Sequence, residues 1–413
     1  MAAIVTPALA LLPAMAAAEG RAPEPPEHMS TVGGELLGEV GTQVDRGPGV
    51  PALPGDLTSK SWIVADAETG EVFAAHNAHW PLPPASTLKM LFADTVMPGL
   101  DRQDVYRARP EDFAGLGEGS SSVGVADGQT YTVEDLWHGA LLASGNDAVY
   151  ALAAMNGGVE RTVGQMNARA RELQALDTHA VNPDGYDAEG QTSSAYDLTL
   201  IARDAMLDAD FREYVALPRA DFPGEGSGED RETYEIQNTN RLLVGAQGLE
   251  PYEGIAGVKN GYTTQAGHTF TGVAERDGRV LLVTAMAPDE EQGPLAVYRE
   301  AAALLDWGFA AAGQARPVGE LVPPRDQVPA AGAGQQEAEQ SPEAEAAGGQ
   351  TASSAESEQP VSGFLVLAFT VAGLAVLTLA AYLFHRRHPL PSPAALRSLP
   401  GRRARRHEDA DGD

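Results

Sequence analysis

Alternation of apolar and polar positions begins at Ser61. Ser61-Trp-Ile-Val-Ala-Asp66 and Glu71-Val-Phe-Ala-Ala75 flank Ala67-Glu-Thr-Gly70, the pattern of two strands joined by a tight turn. Over 86–96 the spacing becomes helical, with Leu88, Leu91 and Phe92 on one face and Pro81, Pro83 and Pro84 leading the chain in. Helical spacing returns over 131–156 (Val133, Leu136, Trp137, Leu141, Val149, Leu152), over 159–176 (Met166, Ala170, Leu173) and over 197–207 (Leu198, Ile201, Ala205). A second hairpin follows, Thr269–Ala274 and Val280–Met286 around Arg276-Asp-Gly-Arg279, and a helix at 295–309 closes the series. Strands at both ends of a helical block predict a mixed α/β domain over 58–318 whose terminal elements share one antiparallel sheet.

The flanks read differently. Residues 19–57 and 319–360 are rich in Pro, Gly, Ala and acids, show no sustained periodicity, and are expected to be a flexible linker and a stalk. Val361 to Phe384 is free of charge and long enough to span a bilayer as a helix. His385, Arg386 and Arg387 follow it and place the 385–413 tail in the cytoplasm by the positive-inside rule. Residues 1–18 are uncharged and end in Ala-x-Ala sites, the apolar and cleavage regions of a secretory signal without its basic leader. The expectation is a single-pass protein of the cell membrane, its folded domain outside the cell and the lipid bilayer its partner at the C-terminal helix.

Composition narrows the chemistry. The formal net charge is -30, yet residues 385–413 net +3, which leaves -33 for the remainder. A surface so acidic offers nothing to displace phosphate counterions, so a nucleic-acid partner is excluded. With no cysteine, thiol nucleophiles and thiolate metal sites are excluded too. No pair of histidines among His76, His79, His138, His179 and His268 has H-x-x-x-H spacing, so no metal site is expected.

Of the 28 basic residues only Lys60, Lys89 and Lys259 are lysine. Arginine cannot release its proton in a protein, whereas a buried lysine can. Positions that keep lysine are therefore candidates for a titrating amine. Ser86-Thr-Leu-Lys89 puts a hydroxyl and an amine at i and i+3 of a helix start, where a desolvated amine can take the serine proton and free backbone N–H groups can receive an oxyanion. The plain alternative is an N-cap beside a surface charge. Ser144-Gly-Asn146 interrupts an apolar run and offers a second hydroxyl and an amide, or merely a polar turn between helices. Lys259-Asn-Gly261 offers an anion-binding cation beside a glycine that permits close approach, or an Asn-Gly hairpin turn.

Taken together, S-x-x-K, S-x-N and K-x-G occur in the order of the penicillin-binding proteins and serine β-lactamases. With Pro84-Ala-Ser-Thr-Leu-Lys89, Ser144-Gly-Asn-Asp-Ala148, Asn182-Pro-Asp-Gly185, Ser194-Ala-Tyr-Asp-Leu198, Asn238-Thr-Asn240 and Lys259-Asn-Gly-Tyr-Thr263, the chain resembles the low-molecular-weight penicillin-binding proteins, serine-type D-alanyl-D-alanine carboxypeptidases of peptidase family S11. The resemblance covers about residues 58–312. It implies the serine β-lactamase/DD-peptidase-like fold, an antiparallel sheet packed with helices plus a helical subdomain. It also implies Ser86 as nucleophile, Lys89 as its base, Ser144 as proton relay, and Asn146, Lys259, Asn260, Gly261, Tyr262 and Thr263 as substrate contacts. The oxyanion hole would be the backbone N–H groups of Ser86 and Tyr262. The implied substrate is the D-Ala-D-Ala end of a peptidoglycan stem peptide, with β-lactam antibiotics as inhibitors and no cofactor. Asn260 departs from the Thr or Ser usual in the family, which puts substrate preference in question. A serine β-lactamase shares the first attack but, in class A, needs a positioned Glu for deacylation; no Glu stands in a recognisable loop before a Leu-Asn pair. The third reading is an inactive peptidoglycan-binding module.

Overall fold

A computed structural model describes residues 24–327, except 46, 227, 229 and 230. In chain order the strands are β1 (Thr42–Val44), β2 (Ser61–Asp66), β3 (Glu71–His76), β4 (Val105–Arg107), β5 (Thr130–Thr132), β6 (Arg219–Pro223), β7 (Thr233–Gln237), β8 (Ile255–Thr263), β9 (Gly267–Arg276), β10 (Arg279–Met286) and β11 (Gly319–Glu320). The helices are α1 (Lys89–Val96), α2 (Val133–Leu141), α3 (Asn146–Met155), α4 (Val159–Glu172), α5 (Ala195–Ala205), α6 (Ala209–Ala216), α7 (Arg241–Val244) and α8 (Ala296–Ala311).

The main sheet runs β1-β3-β2-β10-β9-β8, with β11 also on β3, and every pair in it is antiparallel. Its first and last hairpins meet where β10 pairs with β2, from Leu281 opposite Asp66 to Met286 opposite Ser61. All six residues of β2 are buried, because this strand is covered on both faces. Ile63 and Ala65 face the helical block, packing in one core with Leu88, Phe92, Leu198 and Ile201. Trp62 and Val64 point the other way, into a second core with Leu304, Leu305 and Trp307 of α8. The β9–β10 turn has Asp277 and Gly278 both at positive φ (51° and 76°), as the Asp-Gly signal requires.

The flanks expected to be flexible are partly built into the fold. β1 pairs with β3, and Leu37 is 1% exposed in the first core. Val50, Leu53 and Leu57 pack against the second core, and Pro51 O accepts the Trp307 indole N–H at 2.9 Å. Thus residues 24–57 are an arm of the domain rather than a linker. A strap crossing a surface needs only a few apolar anchors at irregular spacing, which composition and periodicity do not register. The ordered region also passes residue 318, since β11 lies beside β1 along β3 and Leu321 is 3% exposed. Residues 1–18 and 361–384 lie outside the described residues, among which no helix is long and apolar enough to cross a membrane.

Two local expectations also change. The helical stretch 131–156 is two helices, α2 opened by a Thr132–Asp135 capping box and α3 starting at Asn146. Lys259-Asn-Gly261 is not a turn: it lies in mid-strand in β8, with Asn260 opposite Phe270. Ladder pairing with β9 outweighs the local Asn-Gly preference.

Substituting Leu37→Ala tests whether the arm belongs to the fold. A buried Leu→Ala change costs about 2–5 kcal/mol, so the thermal midpoint should fall by several degrees; an unchanged midpoint would mean that the arm carries no stability.

Candidate active site

Pro84 carries the chain into a 3-10 turn, Ala85–Leu88, that runs on into α1. Two hydroxyls fix this entry by donating to Pro84 O, Thr87 Oγ1 at 2.6 Å and Thr269 Oγ1 at 2.9 Å. Ala85 is held at φ 51°, a conformation that non-glycine residues keep only where their surroundings impose it. Two glycines make room for it. A Cβ on Gly185 would lie 1.9 Å from Ala85 O, and one on Gly261 would lie 2.7 Å from Ser86 N. The close approach of β8 to the Ser86 amide thus depends on Gly261 having no side chain.

One turn later the fully buried Lys89 places Nζ 2.8 Å from Ser86 Oγ, 2.7 Å from Asn146 Oδ1 and 2.8 Å from Asp184 O. Two of these partners are carbonyl oxygens and can only accept. A neutral amine therefore gives its two N–H bonds to Asn146 and Asp184 and turns its lone pair toward the one partner with a proton to offer, Ser86. Burial pushes the Lys89 amine down to about 8, against the opposing pull of the Asp184 and Asp147 carboxylates. The arrangement supplies a base matched to a serine hydroxyl near neutral pH.

Asn146 heads α3, and its N–H donates to Ser121 O at 2.8 Å. Asp147, next to it, gathers the loop above: its carboxylate accepts from Val123 N, Gly124 N and Val125 N (2.9, 2.7 and 2.8 Å) and from Ser122 Oγ (2.5 Å). Ser144 is buried in the turn between α2 and α3 at φ 61°, and its hydroxyl stands apart from the Lys89 network. Lys259 is 1% exposed on β8 and donates to Asn260 O at 2.8 Å. Burial, reinforced by the nearby positive Lys89, holds its amine well below the ordinary lysine range. An arriving anion would restore that charge. Tyr262 is exposed and packs on His268 at 4.5 Å between ring centroids. Thr263 turns its hydroxyl to Ala266 N, closing the β8–β9 turn. Lys60, the third lysine, belongs to the sheet end, where its carbonyl accepts from Asn77 Nδ2.

A family model described as D-alanyl-D-alanine carboxypeptidase, peptidase S11, matches residues 48–289. The chain belongs to this family of serine peptidases. It is 40% identical over 268 residues to the D-alanyl-D-alanine carboxypeptidase DacB2 of Mycobacterium tuberculosis, covering 64% of this chain and 87% of that protein. With DacD of Escherichia coli the identity is 31% over 267 residues, 62% of this chain and 64% of the relative. The crystal structure of the Streptomyces K15 DD-transpeptidase superposes with a TM-score of 0.58 at 26% identity, covering 63% of this chain and all of that one. The fold is therefore the DD-peptidase one, as the motifs implied.

In this carboxypeptidase-family chain the motif residues converge from four elements, and sequence reasoning missed their supports. Asp147 and Asp184 were legible only as neighbours in Ser144-Gly-Asn-Asp and Asn182-Pro-Asp-Gly. Thr239, between β7 and α7, reaches the site only through the fold. A cavity of about 620 Å³ lined by Pro54, Leu57, Thr58, Arg299 and Glu300 contains none of these residues. His79 lies among core groups, with Nδ1 2.6 Å from Asp177 Oδ2 and Nε2 2.9 Å from Val32 O; the buried Asp197 and the partly exposed Asp177 complete a cluster with it.

Two outcomes follow from this geometry. Acylation requires Lys89 neutral, so its rate should rise with pH and level off above about 8, falling about tenfold per pH unit below that. Stopped-flow acylation by a chromogenic β-lactam reads this directly, and a flat profile between pH 6 and 9 would remove Lys89 as the base. Gly261→Ala should cut acylation by about 100-fold or more, by displacing β8 from Ser86 N; wild-type rates would show that this close approach is dispensable.

Proposed function

We propose that the chain is an extracytoplasmic serine D-Ala-D-Ala carboxypeptidase that trims peptidoglycan stem peptides through an acyl-serine intermediate. The observation that carries this reading is the buried Lys89 amine, 2.8 Å from Ser86 Oγ and otherwise bonded only to carbonyl oxygens. Ser86 Oγ attacks the carbonyl of the penultimate D-alanine as Lys89 takes its proton. The oxyanion is received by the backbone N–H groups of Ser86 and Tyr262, a role supported by the close approach of Gly261 to Ser86 N. Collapse breaks the peptide C–N bond. The proton returns from Lys89 to the leaving nitrogen, Ser144 joining as relay only when bound substrate bridges it to Lys89, and D-alanine departs. Water then attacks the ester, Lys89 again acting as base, and frees the shortened peptide.

Lys259 is assigned to the terminal carboxylate of the substrate, a local cation in a protein whose overall charge repels anions. Asn146, fixed by Lys89, presents its amide along the peptide. The names of the M. tuberculosis and E. coli relatives support the hydrolytic reading over transpeptidation. The signal-like 1–18 and the apolar 361–384, both read from sequence alone, support a membrane-held enzyme working outside the cell.

Intact-mass spectrometry after brief exposure to benzylpenicillin should show one adduct, mapped to Ser86 and absent in Ser86→Ala. A label that survives in the variant would refute the nucleophile, and rapid loss of the drug without an adduct would point to a β-lactamase. Deleting residues 361–384 should move the protein from the membrane fraction to the soluble one; retention on membranes would dismiss the anchor.

A further inference from the structure

Thr239 ties together the Ser144 turn, α8 and β8. Its N–H and its hydroxyl both reach Leu142 O at 3.0 Å, and Leu142 opens the turn that carries Ser144. Its carbonyl accepts from the Tyr298 hydroxyl at 3.3 Å. Its Oγ1 lies 2.9 Å from the Asn260 side-chain amide, next to Lys259 on β8. Asn260 is half-buried on the edge strand of the sheet.

A threonine hydroxyl has a single proton. When Thr239 donates it to Asn260 Oδ1, the asparagine must turn its NH2 outward. That NH2 is then a donor at the edge strand of the sheet, one residue along β8 from Lys259, and a donor there matches a carboxylate. When the proton goes to Leu142 O instead, the amide swings round to donate to Thr239. It then presents a carbonyl oxygen outward, which repels a carboxylate. The orientation of Asn260, and with it the chemistry of the subsite, is set by where one proton of Thr239 resides.

We propose that Thr239 is a specificity-determining positioning residue, which orients the Asn260 amide as a donor to the free carboxylate at the end of the substrate. The inference rests on the carboxypeptidase reading above and extends it to a residue outside the three motifs. It also gives Asn260 a function in place of the hydroxyl it replaces: the hydroxyl is supplied from Thr239, one step behind the amide.

The test compares a peptide ending in D-Ala-D-Ala with the same peptide ending in D-Ala-D-alaninamide. In the full-length chain, Thr239→Val keeps the shape and removes the hydroxyl. It should raise KM for the acid about tenfold, as loss of an oriented bond to a charged group does, with kcat within about twofold. KM for the amide should stay the same, and Thr239→Ser should restore the acid preference. Asn260→Asp provides a second arm that leaves Thr239 in place. Its carboxylate should raise KM for the acid more than for the amide. Wild-type acid-to-amide ratios in a Thr239→Val protein that melts normally, or in Asn260→Asp, would overturn the proposal while leaving the carboxypeptidase reading intact. Should the wild-type chain neither take a benzylpenicillin label nor cleave the acid peptide, the carboxypeptidase reading falls, and this inference with it.

Discussion

A buried amine must find a partner for each hydrogen and for its lone pair, and Lys89 finds these partners in three separate places. Ser86 comes from its own turn, Asn146 from the start of α3, and Asp184 O from the loop ahead of α5. None of these can shift without leaving a polar group unpaired in a low-dielectric site, a cost of about 1–3 kcal/mol for each. The sheet fixes the first turn through Thr269, and the helical block fixes the other two. The site is therefore the seam between the two halves of the domain, and its precision comes from both being closed on one nitrogen.

The carboxylate of Asp147 has the complementary role in the next layer outward. Four donors from residues 122–125 converge on it, which turns an irregular loop into a fixed wall over the Ser144 turn. Its charge and that of Asp184 also limit how far burial can lower Lys89. A residue that looks structural by its bonds is thus electrostatic in its effect. At Lys259, burial and the positive charge of Lys89 act in the same direction.

Much of this was written locally. The hairpins at Ser61 and Thr269, α1 and the helical block followed from spacing, and S-x-x-K announced its own geometry because i and i+3 on a helix are neighbours whatever the tertiary fold. What stayed hidden was non-local. Lys259-Asn-Gly261 has the strongest short turn signal, yet β9 recruits it as a strand. The arm over residues 24–57 reads as Pro/Gly spacer because its anchors, Leu37, Leu53 and Leu57, are spaced by the surface they cross. Thr239 is one polar residue among many until β8 lies beside it. The role of Asp147 needed the knowledge that residues 122–125 fold back over α3.

The order of the strands has a mechanical side. β1 and β11 share the exposed flank of β3, where Glu320 N donates to Gly33 O at 2.8 Å, so the incoming and outgoing ends of the described chain are clasped together. β8, which carries Lys259, is the opposite margin of the sheet, five strand spacings or roughly 24 Å away. The molecule thus has a handle and a mouth. A pull on either end of the described chain therefore loads the handle at β3 before any force reaches β8.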